Sequence, residues 1–155
     1  MCSEAKWLRQ SGMILLLPHG FDGAGPEHST CHIERFLQNV NSQVYDNQGP
    51  YDNLTGANIN FQFAQVTNPA NYFHLLRRQM LRNYRKPLVL ASPKIGLKHP
   101  RAVSSLKEFA PGTTFQPIFS NTFGNGKHVT KVIFCSGKIY FDIMQKFENS
   151  PLPED

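Results

Sequence analysis

Short apolar runs separated by polar, glycine- and proline-bearing joints set the pattern of this chain. Residues 13–17 (MILLL) form a continuous apolar run that stops at Pro18-His19-Gly20. A run this short, apolar on both faces, predicts a buried, parallel strand. Residues 19–29 form a loop rich in Gly and polar side chains. Ser29 or Thr30 is placed to cap the helix that follows, and Glu34 falls in its first turns. Ile33, Phe36 and Leu37 give that helix one apolar face.

Residues 39–58 lose all periodicity and are dominated by Asn, Gln, Gly, Asp and Pro, the composition of an exposed insertion. Asn53-Leu54-Thr55 matches a glycosylation sequon, but nothing else in the chain points to secretion. Alternation resumes at residues 60–66, which predicts a strand. Thr67-Asn68-Pro69 then supplies a cap followed by Pro in the first turn. Tyr72, Phe73, Leu76 and Met80 form a helical stripe running to about Tyr84. Pro87 ends that helix and opens a strand over 88–91, which Ser92-Pro93-Lys94 closes. Strand, helix, strand, helix, strand with short joints is the signature of an α/β fold with a mostly parallel sheet flanked by helices.

A polar, Pro/Gly-containing stretch leads to a joint at residues 121–128. Residues 130–135 (TKVIFC) read as a strand, Ser136-Gly137-Lys138 as a turn and 139–147 as a helix. This predicts one α/β domain over 1–120, a linker over 121–128 and the start of a second domain over 129–155. A lone strand and helix cannot form a core, so the sequence is expected to be a piece of a longer polypeptide.

Composition narrows the picture only modestly. The 155 residues carry 16 Lys and Arg against 11 Asp and Glu. Arg77, Arg78, Arg82, Arg85 and Lys86 lie close together, and Lys94, Lys98, Arg101 and Lys107 follow. Such clusters suit nucleic acid or anionic ligands, but a solvated helix face and its loop explain them more simply. No apolar run reaches the ~18–20 residues of a membrane span, and the run at 13–17 is too short for a secretory leader. Cys2, Cys31 and Cys135 are odd in number and widely spaced, which argues against a disulfide scaffold.

The chemistry concentrates in residues 18–29 (PHGFDGAGPEHS), after a strand's carboxyl end and before a helix, where open α/β sheets bind ligands. Gly20, Gly23 and Gly25 permit close backbone approach. His19, His28, Asp22 and Glu27 supply proton-transfer groups. A metal site built on His28 and His32 with Glu27, Cys31, His19 and Asp22 is one reading, but no short zinc motif is matched. A phosphate cradle is another, without GxxxxGK[ST] or GxGxxG. Proton transfer by His19 and His28 is the third. Taken alone, the loop reads first as a glycine turn with two hydrogen-bonded histidines.

The string LLLPHGFDGAGPEHST followed by IERFLQ resembles the thiamine-dependent first subunit of 2-oxoglutarate dehydrogenase. So do NPANYFHLLRRQMLRNYRKPLVLASPK, LKHPRAVSSLKEFAPGTTF and KVIFCSGKIYFD. These collinear blocks cover most of the chain apart from 39–58 and 120–128. YFHLLRRQM, RNYRKPL, SPK and APGTTF are most similar to the paralogous branch that acts on 2-oxoadipate as well as 2-oxoglutarate; LKHP leans back toward the 2-oxoglutarate branch. The resemblance implies a transketolase-like pyrimidine-binding domain followed by the first strand and helix of the C-terminal domain. It implies a homodimer that binds thiamine diphosphate between subunits and decarboxylates a 2-oxo dicarboxylic acid. The acyl group then passes to a lipoyl arm on a dihydrolipoyl acyltransferase core. Nucleic acid is not among the implied partners, and the mitochondrial matrix is the implied compartment.

Carried over on matching motifs, His28 in GPEHS corresponds to the family's active-site histidine, and His19 in PHG to a second histidine near the pocket. Gly20, Gly23 and Gly25 shape the wall that receives the cofactor. His74 is expected to pack or to lie at the surface, Arg77 and Arg78 to be structural or interfacial rather than substrate clamps, and Lys94 and Lys98, after a strand end, to be candidates for anion contact. The resemblance also marks departures: His32 stands where the family usually has Arg, and Lys98 replaces a usual Arg. An imidazole cannot reproduce the bidentate fork of Arg. The chain contains no GDG…N segment, so the magnesium and diphosphate site is expected in an upstream domain and the chain alone is expected to be inactive. Two rivals stand beside this reading: a truncated, non-catalytic fragment keeping only dimer or complex contacts, and a small metal-binding α/β hydrolase using His19, His28 and His32.

Overall fold

The computed structural model describes residues 7, 9–21, 25–41, 59–120, 129 and 131–149. Asp22, Gly23, the sequon, most of the 39–58 insertion and the 121–128 joint therefore lie outside the described residues. Five elements carry the first unit: β1 (Ile14–Pro18), α1 (Ile33–Asn39), β2 (Gln62–Gln65), α2 (Pro69–Leu81) and β3 (Leu88–Ser92). A last helix, α3 (Lys138–Asn149), follows.

The strands form one parallel sheet in the order β1-β3-β2, as the alternation of strands and helices requires. Ile14 lies opposite Leu88 and Gln62 opposite the same residue on the other side. That register puts Ile14, Ala64, Leu88 and Leu90 on one face and Phe63 and Val89 on the other. α2 covers the first face, where Leu75 and Val66 pack with Leu88 and Leu90, joined by Tyr72, Leu76 and Phe115. α1 covers the second, with Phe36 stacked on Phe63 at 5.8 Å and edge-on to Phe61 at 6.4 Å. β3 is buried throughout its apolar length, and each such side chain contributes about 1.5–3 kcal/mol by leaving water.

Three expectations need correction. β1 is parallel but not fully buried: it is an edge of the described sheet and Leu16 is 55% exposed. The stripe on α2 is displaced, because Phe73 and Met80 face outward while Asn71, His74, Leu75 and Gln79 are buried. Those polar groups are tolerated because Asn71 and Gln79 are bonded and His74 is bonded through Nε2, its Nδ1 being buried without a partner among the described residues. Asn71 donates to Gln116 O at 3.0 Å and accepts from Gln116 N at 2.8 Å. Gln79 accepts from Gln62 and donates to Lys86 O. Third, residues 131–135 form no strand, although the helix after them forms as expected. A strand needs a partner, and no described strand pairs with these residues.

Local capping follows the sequence at α2, where the Asn68 side chain accepts from Asn71 N with Pro69 in the first turn. The helix ends at Leu81, three residues short of the expected Tyr84. The neck of the insertion is closed by reciprocal bonds, Asn41 N to Asn60 Oδ1 at 3.2 Å and Asn60 N to Asn41 Oδ1 at 2.9 Å. α3 docks beside the carboxyl ends of β2 and β3. Gly137 N donates to Thr67 Oγ1, Ser136 Oγ to Gln65 Oε1, and Arg101 reaches Glu148 at 2.6 Å.

Candidate functional site

β1 and β3 deliver Pro18 and Ser92 to the same level of the sheet. His19 follows directly, and its N–H donates to Ser92 O at 2.9 Å, extending the ladder by one bond. The chain then turns at Gly20, whose φ of 152° lies in a region open to glycine at little cost. Gly20 N donates to Ser29 O at 2.7 Å. Ser29 is fully buried, and its hydroxyl donates to Gly25 O at 2.8 Å. One small residue thus ties the two ends of the loop together, and the bond joins the neighbour of His19 to the neighbour of His28.

Ser29 is therefore not the helix cap that its position predicts. A short 3₁₀ turn, Pro26–His28, intervenes, and α1 starts later, with His32 at its N-cap in the left-handed conformation (φ 53°). Thr30 Oγ1 accepts from His32 N at 3.1 Å, and the His32 ring meets Glu34 at 3.2 Å. The Glu34 carboxyl is held below its ordinary range, first by its own peptide N–H and then by His32. His32 is thus engaged with the helix start.

His19 is half-buried, and its Nδ1 faces Cys31. The Cys31 peptide N–H lies 3.3 Å from Nδ1 and its Sγ 3.6 Å. Nε2 of His19 has no partner among the described residues. His28 is exposed and, among the described residues, approaches Glu27 at 3.5 Å. His28 and His32 occupy different elements, so they do not form the one-face helical pair that a metal site would use. Among the described residues no group of three His, Cys, Asp or Glu side chains converges.

Ser92 was not singled out by sequence, yet its Oγ is buried with no hydrogen-bond partner. It ends the central strand beside His19. A small hydroxyl at that position of an α/β sheet is the signal that would have found it. The arginines of α2 take structural roles, as expected. Arg77 reaches Thr113 O, and the Arg78 guanidinium lies 4.1 Å over the Phe115 ring. Burial, reinforced by Arg82, pushes Arg78 down to about 10. His74, 3% exposed, is held by Glu108 O at 2.7 Å and Thr113 Oγ1 at 3.0 Å, and so is a packing residue.

This arrangement of loop and strand ends coincides with a known domain. The sequence profile described as transketolase, pyrimidine binding domain, matches residues 1–100. The chain belongs to that family. A second profile, the 2-oxoglutarate dehydrogenase C-terminal family, matches residues 103–154. The pyrimidine-binding portion therefore holds all three strands and the whole His19–His32 loop, and α3 falls in the second match.

Relatives agree. A probable 2-oxoadipate dehydrogenase complex component E1 homolog of Dictyostelium discoideum is 54% identical over 145 residues, covering 92% of this chain and 16% of that protein. The 2-oxoadipate dehydrogenase complex component E1 of Mus musculus is 51% identical over 146 residues, covering 94% of this chain and 15% of its own length. The 2-oxoglutarate dehydrogenase E1 component of Rickettsia conorii is 45% identical over 149 residues, covering 96% of this chain and 14% of its own. The chain thus spans about one-seventh of these relatives.

Proposed function

We propose that this chain supplies the pyrimidine-binding wall of a thiamine-diphosphate-dependent E1 component that decarboxylates a 2-oxo dicarboxylic acid, 2-oxoadipate or 2-oxoglutarate. The observation that carries the reading is the match of residues 1–100 to the pyrimidine binding domain, in which the His19 loop leaves the carboxyl end of β1 beside that of β3, where Ser92 Oγ is buried with no partner among the described residues. The backbone wall at these strand ends suits the aminopyrimidine end of the cofactor, whose ring carries both donors and acceptors, and His19 Nε2 is left for the substrate. Bound thiamine diphosphate would supply the electron sink for decarboxylation.

The remaining chemistry belongs to the residues of the chain. Gly20 and Gly25 let the loop backbone approach the ring closely, with Gly23 in the same loop outside the described residues. His28, exposed beside Glu27, is the acid or base of this reading at the substrate. His19 orients by hydrogen bonding. The described residues do not fit a magnesium site, and we place magnesium elsewhere in the longer polypeptide. By the same reading the parent is a homodimer of the mitochondrial matrix serving a dihydrolipoyl acyltransferase core with its lipoyl domain. The exposed apolar residues Leu97, Val103 and Leu106 support such contacts.

A graft tests the proposal. This chain replaces the matching segment of the Dictyostelium relative, and thiamine-dependent decarboxylation of 2-oxoadipate and of 2-oxoglutarate is measured. Retention of turnover within about tenfold of the parent is expected. A folded, dimeric chimaera without thiamine-dependent turnover would reject the assignment.

A further inference from the structure

We infer that Cys31 is a positioning residue for His19, committing the ring to present Nε2–H as a hydrogen-bond donor toward the substrate. This rests on the proposed function only in naming what Nε2 faces. The geometry itself is independent of it: two groups of one residue converge on one ring nitrogen, the peptide N–H at 3.3 Å and the thiol at 3.6 Å.

A peptide N–H can only donate. Nδ1 must therefore present its lone pair to Cys31, and the proton of the neutral ring sits on Nε2. The thiol reinforces that choice when it too donates. Burial, and secondarily the Glu34 charge, pushes the Cys31 thiol up from its ordinary range, opposing a smaller lowering by its own peptide N–H, so it keeps its proton at neutral pH. The partner of Nε2 is consequently an acceptor, which a carboxylate or keto oxygen of a 2-oxo acid provides. The same bonds hold the ring plane, because Cys31 lies at the entrance to α1 and His19 at the exit of β1.

Sequence separation hides this pair, since the two residues stand twelve positions apart. It also assigns the two histidines different tasks. His28 is unrestrained and suited to moving protons; His19 is restrained and suited to orienting an oxygen.

The test uses long-range nitrogen NMR on histidine-labelled chain at neutral pH. We expect a pyrrole-type signal for His19 Nε2, a pyridine-type signal for Nδ1 and a through-bond coupling from the Cys31 amide proton to Nδ1. These need no variant. Cys31→Val keeps the peptide N–H and removes only the thiol, so the Nδ1 signal should move part of the way downfield toward the free-imidazole position, and in Cys31→Ser it should stay near that of the wild type. A protonated Nδ1 in the neutral ring, or the same Nδ1 signal in Cys31→Val, overturns the positioning role. In the active graft, Cys31→Val should lower kcat while leaving KM close to its starting value, with Cys31→Ser restoring most of the loss. Unchanged kcat would overturn the catalytic consequence. Loss of the graft's activity before any Cys31 change would instead count against the proposed function, leaving the NMR result standing.

Discussion

The ring of His99 stacks on Phe141, with centroids 4.8 Å apart and planes 25° from parallel. His99 follows the turn after β3, and Phe141 is the buried residue of α3, so this contact spans the two family matches. Phe141→Ala should destabilise the chain by about 3 kcal/mol, the ordinary cost of deleting a buried aromatic ring. Urea denaturation would measure it. Hydrogen exchange should accelerate first in α3, and uniform acceleration would show that the contact is not local.

The Arg101–Glu148 pair holds the other end of α3 and should loosen in acid. Its hydrogen bond to Arg101 holds the Glu148 carboxyl below the ordinary value. A depressed carboxylate stabilises the folded state above its unfolded value and loses that contribution as pH falls through the folded one. α3 should therefore loosen only below about pH 4.5, in the range where free carboxylates protonate. Glu148→Gln should remove this part of the pH dependence, read from α3 amide exchange between pH 6 and pH 3 (values chosen to bracket that range).

Asn71 has a disproportionate effect for one side chain. It bonds both backbone groups of Gln116 and so pins the segment leading away from the 3₁₀ turn Leu106–Phe109. Asn71→Ala should cost about 2 kcal/mol, because it leaves an N–H and a C=O without their partner. Asn71→Asp keeps the acceptor and loses the donor, so it should fall between. Thermal melts of the three proteins give the ranking.

Thiol reactivity separates the cysteines. Cys135 is exposed, whereas Cys31 is half-buried and its thiol is pushed up chiefly by desolvation. A raised value means less thiolate at any given neutral pH. Iodoacetamide at pH 7.5 should modify Cys135 about tenfold faster than Cys31. Peptide mass spectrometry resolves the two sites, and equal rates would remove the argument that Cys31 remains a thiol.

His28 provides the catalytic prediction. In the active graft, His28→Ala should lower decarboxylation or acyl transfer at least about tenfold while the melting curve is preserved, within the ~10²–10⁴-fold that a positioned acid or base supplies. Near-normal turnover would remove it from the reaction.

The elements that were legible in sequence are those decided locally. The run at 13–17, the alternation at 60–66 and the Asn68-Pro69 start of α2 each encode their own geometry, and the parallel sheet follows from their order. What was not legible depends on distant partners. Asn71 and His74 look like surface residues of α2 until residues 108–116 fold back to bond them. Phe73 and Met80 look like core for the same reason. Residues 131–135 have a strand's pattern but no neighbouring edge. At the site, the residue types in the loop were readable, whereas the Cys31–His19 contact and the orphaned Ser92 hydroxyl were not, because both depend on where β1 and β3 end.

The strand order has a consequence for synthesis. β1 and β2 never touch; each pairs only with β3, which comes last in the chain. On the ribosome, residues 14–65 would emerge with two strands that have no common neighbour among the described residues. The sheet, and with it the floor under His19 and Ser92, can close only when residues 88–92 arrive between them. Until then the apolar runs of β1 and β2 are open to passing chains, a vulnerability typical of non-local parallel pairing. Release of a nascent chain stopped before residue 88 should leave it a chaperone client, and extension past residue 92 should end that dependence.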